Sequence, residues 1–310
     1  MDSTVDVGEQ AQKAKEKIAR LKEELDAVIL AHNYQRPEVQ DLADFTGDSL
    51  ELARQCVGTK AEVIVFCGVR FMAETAAILN PTSTVLLSHP NAGCPLADMI
   101  SVDSLGQWKR MYPEAVVVAY VNTTAAIKAE SYICCTSANA VEVVNAIPNE
   151  EILFIPDQNL GHYVSTRTSK KVILYPGYCG VHADVTAEEV RLARGRYPQA
   201  RVLVHPECRA EVIDLADAAL STSQMLRYAR QCNDRTFLIG TEEGLLHPLR
   251  RQNLEKEFFL LSDKLLCPDM KKTTLAILSE TMEARENVVT VPEEIRVRAK
   301  RAIDRMLEIA

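Results

Sequence analysis

At 310 residues, 47% of them hydrophobic and 25% charged, the chain has the composition of an ordinary globular protein. Its net charge of −8 gives no reason to expect nucleic acid or an anionic membrane as partner, and no apolar run approaches the roughly 18 residues of a membrane span. The leading MDSTVDVGEQ is polar, without an export segment, so the nine cysteines read as thiols, metal ligands or buried small hydrophobes of a cytoplasmic protein.

Residues 9–25 are rich in helix formers with apolar residues at helical spacing, which predicts a helix leading into a strand at Ala27 (AVILAHNY). A second apolar run, VIVFC, spans 63–67, and STVLLSHP precedes Cys94. The same order then recurs. SVDSLGQWKRMY leads into AVVVAYVN at Ala115, followed by ILFIP (152–156), KKVILYP and Cys179. VTAEEVRLARGRY leads into ARVLVHPE at Ala200, followed by FLIG (237–240), KEFFLLS and Cys267. Ser, Asp and Thr at the front of both lead-ins are helix capping signals. The C-terminal PEEIRVRAKRAIDRMLEI reads as an amphipathic closing helix.

The repeat has steps of 88 and 85 residues, too long for a solenoid, whose repeats run about 20–50 residues. Short continuous apolar runs alternating with helical segments predict buried parallel strands. The fold class is therefore α/β: three similar small βαβ-type domains with short parallel sheets, whose strands open at their C-terminal ends onto a shared cleft. Residues 1–26 form an N-terminal helix on that assembly. The repeats are 27–112, 113–197 and 198–310, the last including the C-terminal helix.

A cysteine closes each repeat, 67, 64 and 67 residues from its start. Each is expected after a strand and before a helix, where the helix dipole favours a thiolate. Any one of them could be a buried hydrophobe; three at one repeat position imply convergence on a single centre. A three-thiolate site could hold zinc or an iron–sulfur cluster. The lack of a CxxC pair or a fourth equivalent cysteine argues against a closed structural site. A [4Fe–4S] cluster with three protein ligands would leave one iron open as a Lewis acid.

Each repeat places a polar residue at its sixth position (His32, Tyr120, His205) and its eighth (Tyr34, Asn122, Glu207). On an extended segment that spacing puts both on one side. A hydroxyl follows twenty-two residues after each start: Ser49, Ser137 and Thr222, each opening a helical run. These are either simple N-caps or parts of an anion site at a helix terminus. His182, three residues after Cys179, is either a neighbour of the metal site or a surface residue.

The motifs AHNYQ (31–35), GDSLELA (47–53), NAGCPLADM (91–99), AYVNTTA (119–125), CCTSANA (134–140), HPEC (205–208) and TEEGLLH (241–247) together resemble the quinolinate synthase family over about residues 27–275. The resemblance implies a transferase that condenses iminosuccinate (iminoaspartate) with dihydroxyacetone phosphate, giving quinolinate, phosphate and water for NAD biosynthesis. It implies three similar three-layer αβα domains related by pseudo-threefold symmetry around a central active site, with one [4Fe–4S] cluster on Cys94, Cys179 and Cys267. Substrate contacts fall on His32, Ser49, Tyr120, Val121, Asn122, Ser137, His182, His205, Pro206, Glu207 and Thr222. Tyr34, Tyr120, His205 and Glu207 take the catalytic positions, with Tyr34 and Glu207 moving protons. A redox CxxC-type motif that some members carry around the third cysteine is absent, since the sequence there reads CPDMKKT. The charged tail is a candidate surface for transient contact with an enzyme supplying iminosuccinate. Two other readings stay open at this level: a different cluster-dependent hydro-lyase needing no phosphate site, and a metal sensor whose cysteines only report iron or zinc.

Overall fold

The structure, a computed structural model, describes residues 3–309. Among them, twelve strands form three four-stranded sheets in which every pairing is parallel. The first holds β1 (Ala27–His32), β2 (Phe45–Gly47), β3 (Val63–Cys67) and β4 (Thr84–Leu87), in the order β2-β1-β3-β4. The second holds β5 (Val116–Tyr120), β6 (Ile133–Cys135), β7 (Glu151–Ile155) and β8 (Lys171–Leu174), in the order β6-β5-β7-β8. The third holds β9 (Arg201–Val204), β10 (Ala218–Ala219), β11 (Thr236–Gly240) and β12 (Glu257–Leu260), in the order β10-β9-β11-β12. The α/β class, with three similar αβα-layered sheets, is as the repeat and the resemblance predict.

The apolar runs are continuous because both sheet faces are buried. In the third sheet Val202, Val204 and Leu238 face one core cluster, while Leu203, Phe237 and Ile239 face another. Neighbouring residues thus serve opposite cores. Full burial of each such side chain contributes about 1.5–3 kcal/mol. The short strands β2, β6 and β10, of three, three and two residues, are absent from the sequence-based expectation. Each is too short to carry a periodic signal.

In all three sheets the chain leaves the first strand to one side and then crosses to the other. The reversal therefore lies between β1 and β3, between β5 and β7, and between β9 and β11. Ligands of open parallel sheets bind beyond the carboxyl ends of the strands at such a reversal.

The chain divides into two compact units. Residues 1–94 with 268–292 form the first, and 95–267 with 293–310 the second. The chain leaves the first unit after Cys94 and re-enters it after Cys267, each time at a Cys-Pro bond. In the first unit, Ile18, Leu21 and Leu25 join Leu275, Leu278 and Met282 in one core with Ile29, Val63 and Val65 of the sheet. The helix Ser3–Glu24 thus packs against the helix Leu275–Ala284. In the second unit the closing helix Glu293–Ile309 packs on the helix Ala125–Ala129 and on β6. The lead-in helices Val102–Met111 and Ala187–Arg196 are capped by Ser101 and Thr186, as their capping signals predict. Among the described residues no helix is long and apolar enough to cross a membrane.

Candidate functional site

The cysteine loops share one backbone clamp. Arg70 N–H donates to Ala92 C=O at 2.9 Å, Gln158 N–H to Gly177 C=O at 2.8 Å, and Glu243 N–H to Leu265 C=O at 2.9 Å. Each acceptor lies two residues before a repeat cysteine: Cys94, Cys179 or Cys267. The repeat therefore extends to how each loop is tied to the end of its third strand. Cys94 belongs to the first unit, and Cys179 and Cys267 to the second.

The expected helix dipoles behind the cysteines are not there. Cys94 and Cys179 precede single turns, Pro95–Asp98 and Gly180–Ala183, and Cys267 precedes a turn without an α-helix. A macrodipole needs a longer run of aligned peptides than one turn offers. What separates these thiols from five of the other six is exposure. Cys94, Cys179 and Cys267 are half-buried, whereas Cys56, Cys67, Cys134, Cys135 and Cys208 are buried. Burial pushes the thiols of Cys56, Cys67 and Cys134 up to about 12 and raises those of Cys135 and Cys208 as well. Cys232 is half-buried, with its thiol 4.0 Å from the Ala229 carbonyl.

In the first unit His32 ends β1, and the chain turns at residues 33–35 rather than continuing as a strand. His32 and Tyr34 meet for a different reason than a shared strand face. The Tyr34 N–H donates to His32 Nδ1 at 3.2 Å, and the rings lie edge to face with centroids 4.5 Å apart. Lys271 Nζ holds the same turn by donating to the Tyr34 carbonyl at 2.7 Å. Ser49 is the first residue of the helix Ser49–Gly58, and Asp48 caps it in a capping box with Glu51.

In the second unit His205 follows β9 and repeats the His32 geometry, with Glu207 N–H 3.3 Å from its Nδ1. Thr222 opens the helix Thr222–Gln231, but Ser221 caps it. Ser137 lies in the turn ahead of the helix Ala140–Ala146. None of the three hydroxyls is the N-cap that simple capping would make it, and Ser49 and Thr222 stand one residue inside helices already capped by their neighbours. Gln224 Nε2 donates to the Ala138 carbonyl at 3.0 Å and ties the start of the Thr222 helix to the Ser137 turn.

A buried polar array runs through this unit. Ser137 Oγ lies 3.1 Å from His205 Nε2. His205 Nδ1 lies 3.1 Å from Glu207 Oε2, and His182 Nδ1 lies 2.9 Å from the same oxygen. His182 Nε2 reaches Thr241 Oγ1 at 2.9 Å, and its Nδ1 is also 3.3 Å from Cys179 Sγ. His182, His205 and Glu207 are all at most 3% exposed. Burial alone would raise the Glu207 pKa, but His205 and His182 outweigh it and hold the carboxyl well below the usual range. Beside a carboxylate so charged, His182 Nδ1 donates and its Nε2 accepts from the Thr241 hydroxyl. Glu207 Oε1 is buried with no hydrogen-bond partner, and so is Asn122 Oδ1.

Tyr120 ends β5, buried, and Val121 donates its N–H to the Cys135 carbonyl at 2.9 Å. Pro206 is buried between His205 and Glu207. The structure thus brings Ser137, His182, His205, Glu207 and Cys179 into direct contact within the second unit. His182 is not a surface residue. His32, Tyr34 and Ser49 belong to the first unit.

Cys179, His182 and Glu207 offer ligand atoms within 4.8 Å of one another and could hold a metal ion. Their closest approach is the 2.9 Å hydrogen bond between His182 and Glu207, so two of the three already satisfy each other.

Three residues of this region escape sequence reasoning: Thr241, Asp157 and Glu242. Asp157 and Glu242 stand 85 residues apart, at the step of the second and third repeats, which is the signal that could have found them. Burial, then the nearby Glu207 charge, push the Asp157 pKa well above its ordinary value, against backbone N–H donors from Leu160, Cys179 and Asn159.

A family model described as Quinolinate synthetase A protein matches residues 16–308. The chain belongs to the quinolinate synthetase A family. It is 54% identical over 293 residues to a quinolinate synthase of Dehalococcoides mccartyi, covering 94% of this chain and 97% of that protein. A quinolinate synthase 1 of Methanosarcina acetivorans is 52% identical, over 94% of this chain and 96% of its own length. A quinolinate synthase of Thermodesulfovibrio yellowstonii is 50% identical, over 95% and 97%. This member of the quinolinate synthetase A family is thus similar to enzymes of one name along nearly its whole length.

Proposed function

We propose that the chain is a transferase that condenses iminosuccinate with dihydroxyacetone phosphate to form quinolinate, releasing phosphate and water, as a step of NAD biosynthesis. The observation that carries this reading is the buried array around Glu207, with one carboxylate oxygen anchored by two imidazoles and the other without a partner. Such an array suits proton transfer on a small polar substrate, and a mere metal sensor would have no use for it.

Cys94, Cys179 and Cys267 would hold a [4Fe–4S] cluster. In support, they are half-buried thiols in loops with one backbone clamp, and five other thiols are buried and poorly ionised. When bound, the cluster would supply a Lewis acid for the loss of water.

The chain's own groups then have separable tasks. His32, Ser49, Asn122, Ser137 and Thr222 would bind the carboxylates and phosphate through ring N–H, amide and hydroxyl donors. Tyr120, Val121 and Pro206 would line the site and keep water out. Glu207, ionised at neutral pH, would take a proton at Oε1 while His182 and His205 fix Oε2. His205 would relay charge toward Ser137, and Tyr34 would supply or accept a proton as a phenol.

The test is anaerobic purification, quantification of iron and sulfide, and a quinolinate assay from iminosuccinate plus dihydroxyacetone phosphate. About four irons per chain with product formation is the expected result. A cluster with dehydration that needs no dihydroxyacetone phosphate would replace this reading with a hydro-lyase. Zinc without sulfide would remove the cluster.

A further inference from the structure

Two buried carboxylates occupy one position in two different sheets. Asp157 follows the last residue of β7 by two, and Glu242 follows the last residue of β11 by two. Both are 0% exposed. Each gives one oxygen to the start of the helix or turn that follows it and the other to a cysteine loop. Asp157 Oδ1 accepts from Leu160 N–H at 2.8 Å, and Oδ2 accepts from Cys179 N–H at 3.0 Å. Glu242 Oε2 accepts from Gly244 N–H at 2.8 Å, and Oε1 accepts from Cys267 N–H at 3.1 Å.

The first oxygen of each pair is an ordinary helix cap. For that task a neutral hydroxyl suffices, as Ser101, Thr124 and Ser221 show elsewhere in this unit. Burying a carboxylate instead is costly unless both oxygens have work to do. In both places the second oxygen goes to the N–H of a repeat cysteine. The third copy of the position is Val69, and there only the backbone clamp from Arg70 to Ala92 remains. In that unit Asp269 Oδ1 accepts from Gly93 N–H, the residue before Cys94, at 3.1 Å. A carboxylate thus reaches the backbone of each cysteine loop, twice by a repeated device and once from another segment.

We propose that Asp157 and Glu242 are positioning residues for Cys179 and Cys267. Each fork fixes its cysteine's backbone against the end of the neighbouring strand, so the direction of the thiol is set before a metal arrives. The inference rests on reading these cysteines as metal ligands. Groups that orient ligands without touching the metal typically change its retention about 10–100-fold when removed.

The isosteric variants D157N and E242Q break the forks without changing volume. One amide oxygen still accepts, but the amide nitrogen faces an N–H that needs an acceptor. In metal-free full-length protein, the alkylation rate of each cysteine by iodoacetamide is followed by peptide mass spectrometry. D157N accelerates Cys179 on the order of tenfold and leaves Cys267 unchanged, and E242Q does the converse. In anaerobically reconstituted protein, both variants release iron to a chelator faster than wild type, with a perturbed cluster spectrum. Unchanged rates at both cysteines overturn the proposal. Equal acceleration of both in either variant also overturns it, since that is general loosening. E242Q alone decides the matter where D157N does not fold, because its other oxygen caps only the three-residue turn Glu243–Leu245. Wild type that takes up no iron and sulfide overturns the cluster reading instead, and the metal-free alkylation rates still decide the positioning.

Discussion

His182 and His205 stack with ring centroids 4.6 Å apart and planes 24° from parallel. Two imidazolium ions in that arrangement would repel each other strongly in a buried site. Their shared partner Glu207 supplies the one negative charge between them, through the single oxygen Oε2.

Removing that charge tests the role of the trio. Glu207→Gln keeps the side-chain volume and one acceptor oxygen, so the fold and iron content are expected to remain. Turnover is expected to fall about a hundredfold or more, the usual size of a lost acid–base group. Steady-state quinolinate formation, measured beside iron content and circular dichroism, checks this. Activity near that of wild type would remove Glu207 from the proton-transfer role.

Thiol chemistry gives a second prediction. Cys56, Cys67, Cys134, Cys135 and Cys208 are buried, and burial keeps each protonated far above neutral pH. Only the thiolate attacks an alkylating reagent. In native metal-free protein at about pH 8, label is expected on Cys94, Cys179 and Cys267 and not on those five. Rapid labelling of Cys67 in folded protein would contradict the core packing described here.

Much of this was legible in the sequence, though not always for the right reason. The long strands were readable because a sheet buried on both faces demands continuous apolar runs, as Val202 to Val204 show. The pairs His32–Tyr34 and His205–Glu207 were readable from spacing, but a turn and a bond to Nδ1 hold them, where strand geometry was expected. Hydroxyls at helix starts were readable too, yet Asp48 and Ser221 do the capping one residue earlier. Asp157 and Glu242 were hidden because the third copy of their position is Val69 and their neighbours differ, Pro156 in one case and Thr241 in the other.

Gly177 offers a backbone test of the Cys179 loop. A Cβ at this position would stand 2.5 Å from the carbonyl oxygen of Pro156, so the backbone itself must shift. The shift would strain the 2.8 Å bond from Gln158 N–H to the Gly177 carbonyl and displace Cys179 two residues on. Gly177→Ala is expected to cost about 1–3 kcal/mol of stability, as overpacking does, and to reduce iron retention. Gly180→Ala is the control, since nothing lies within 4 Å of its added Cβ. Equal urea midpoints for the two variants would show that the close approach at Gly177 is relieved without cost.

Glu130 gives a pH test of how the closing helix is held in the second unit. Its carboxylate lies 3.1 Å from Lys109 Nζ on the helix Val102–Met111 and pairs with Arg298 on the helix Glu293–Ile309. Partial burial pushes the Glu130 pKa up, but hydrogen bonds and charge from Lys109 and Arg298 prevail and lower it. A carboxyl with a folded-state pKa below its unfolded value of about 4.3 adds stability above that value and loses it as pH falls through the folded pKa. The partners are partly exposed and screened by solvent, so the contribution at neutral pH is about 0.5–1 kcal/mol. Glu130→Gln should therefore lower the urea midpoint at pH 7, with the gap to wild type shrinking as pH falls below about 4.3. A gap that persists at low pH would mean that Glu130 acts through packing rather than charge.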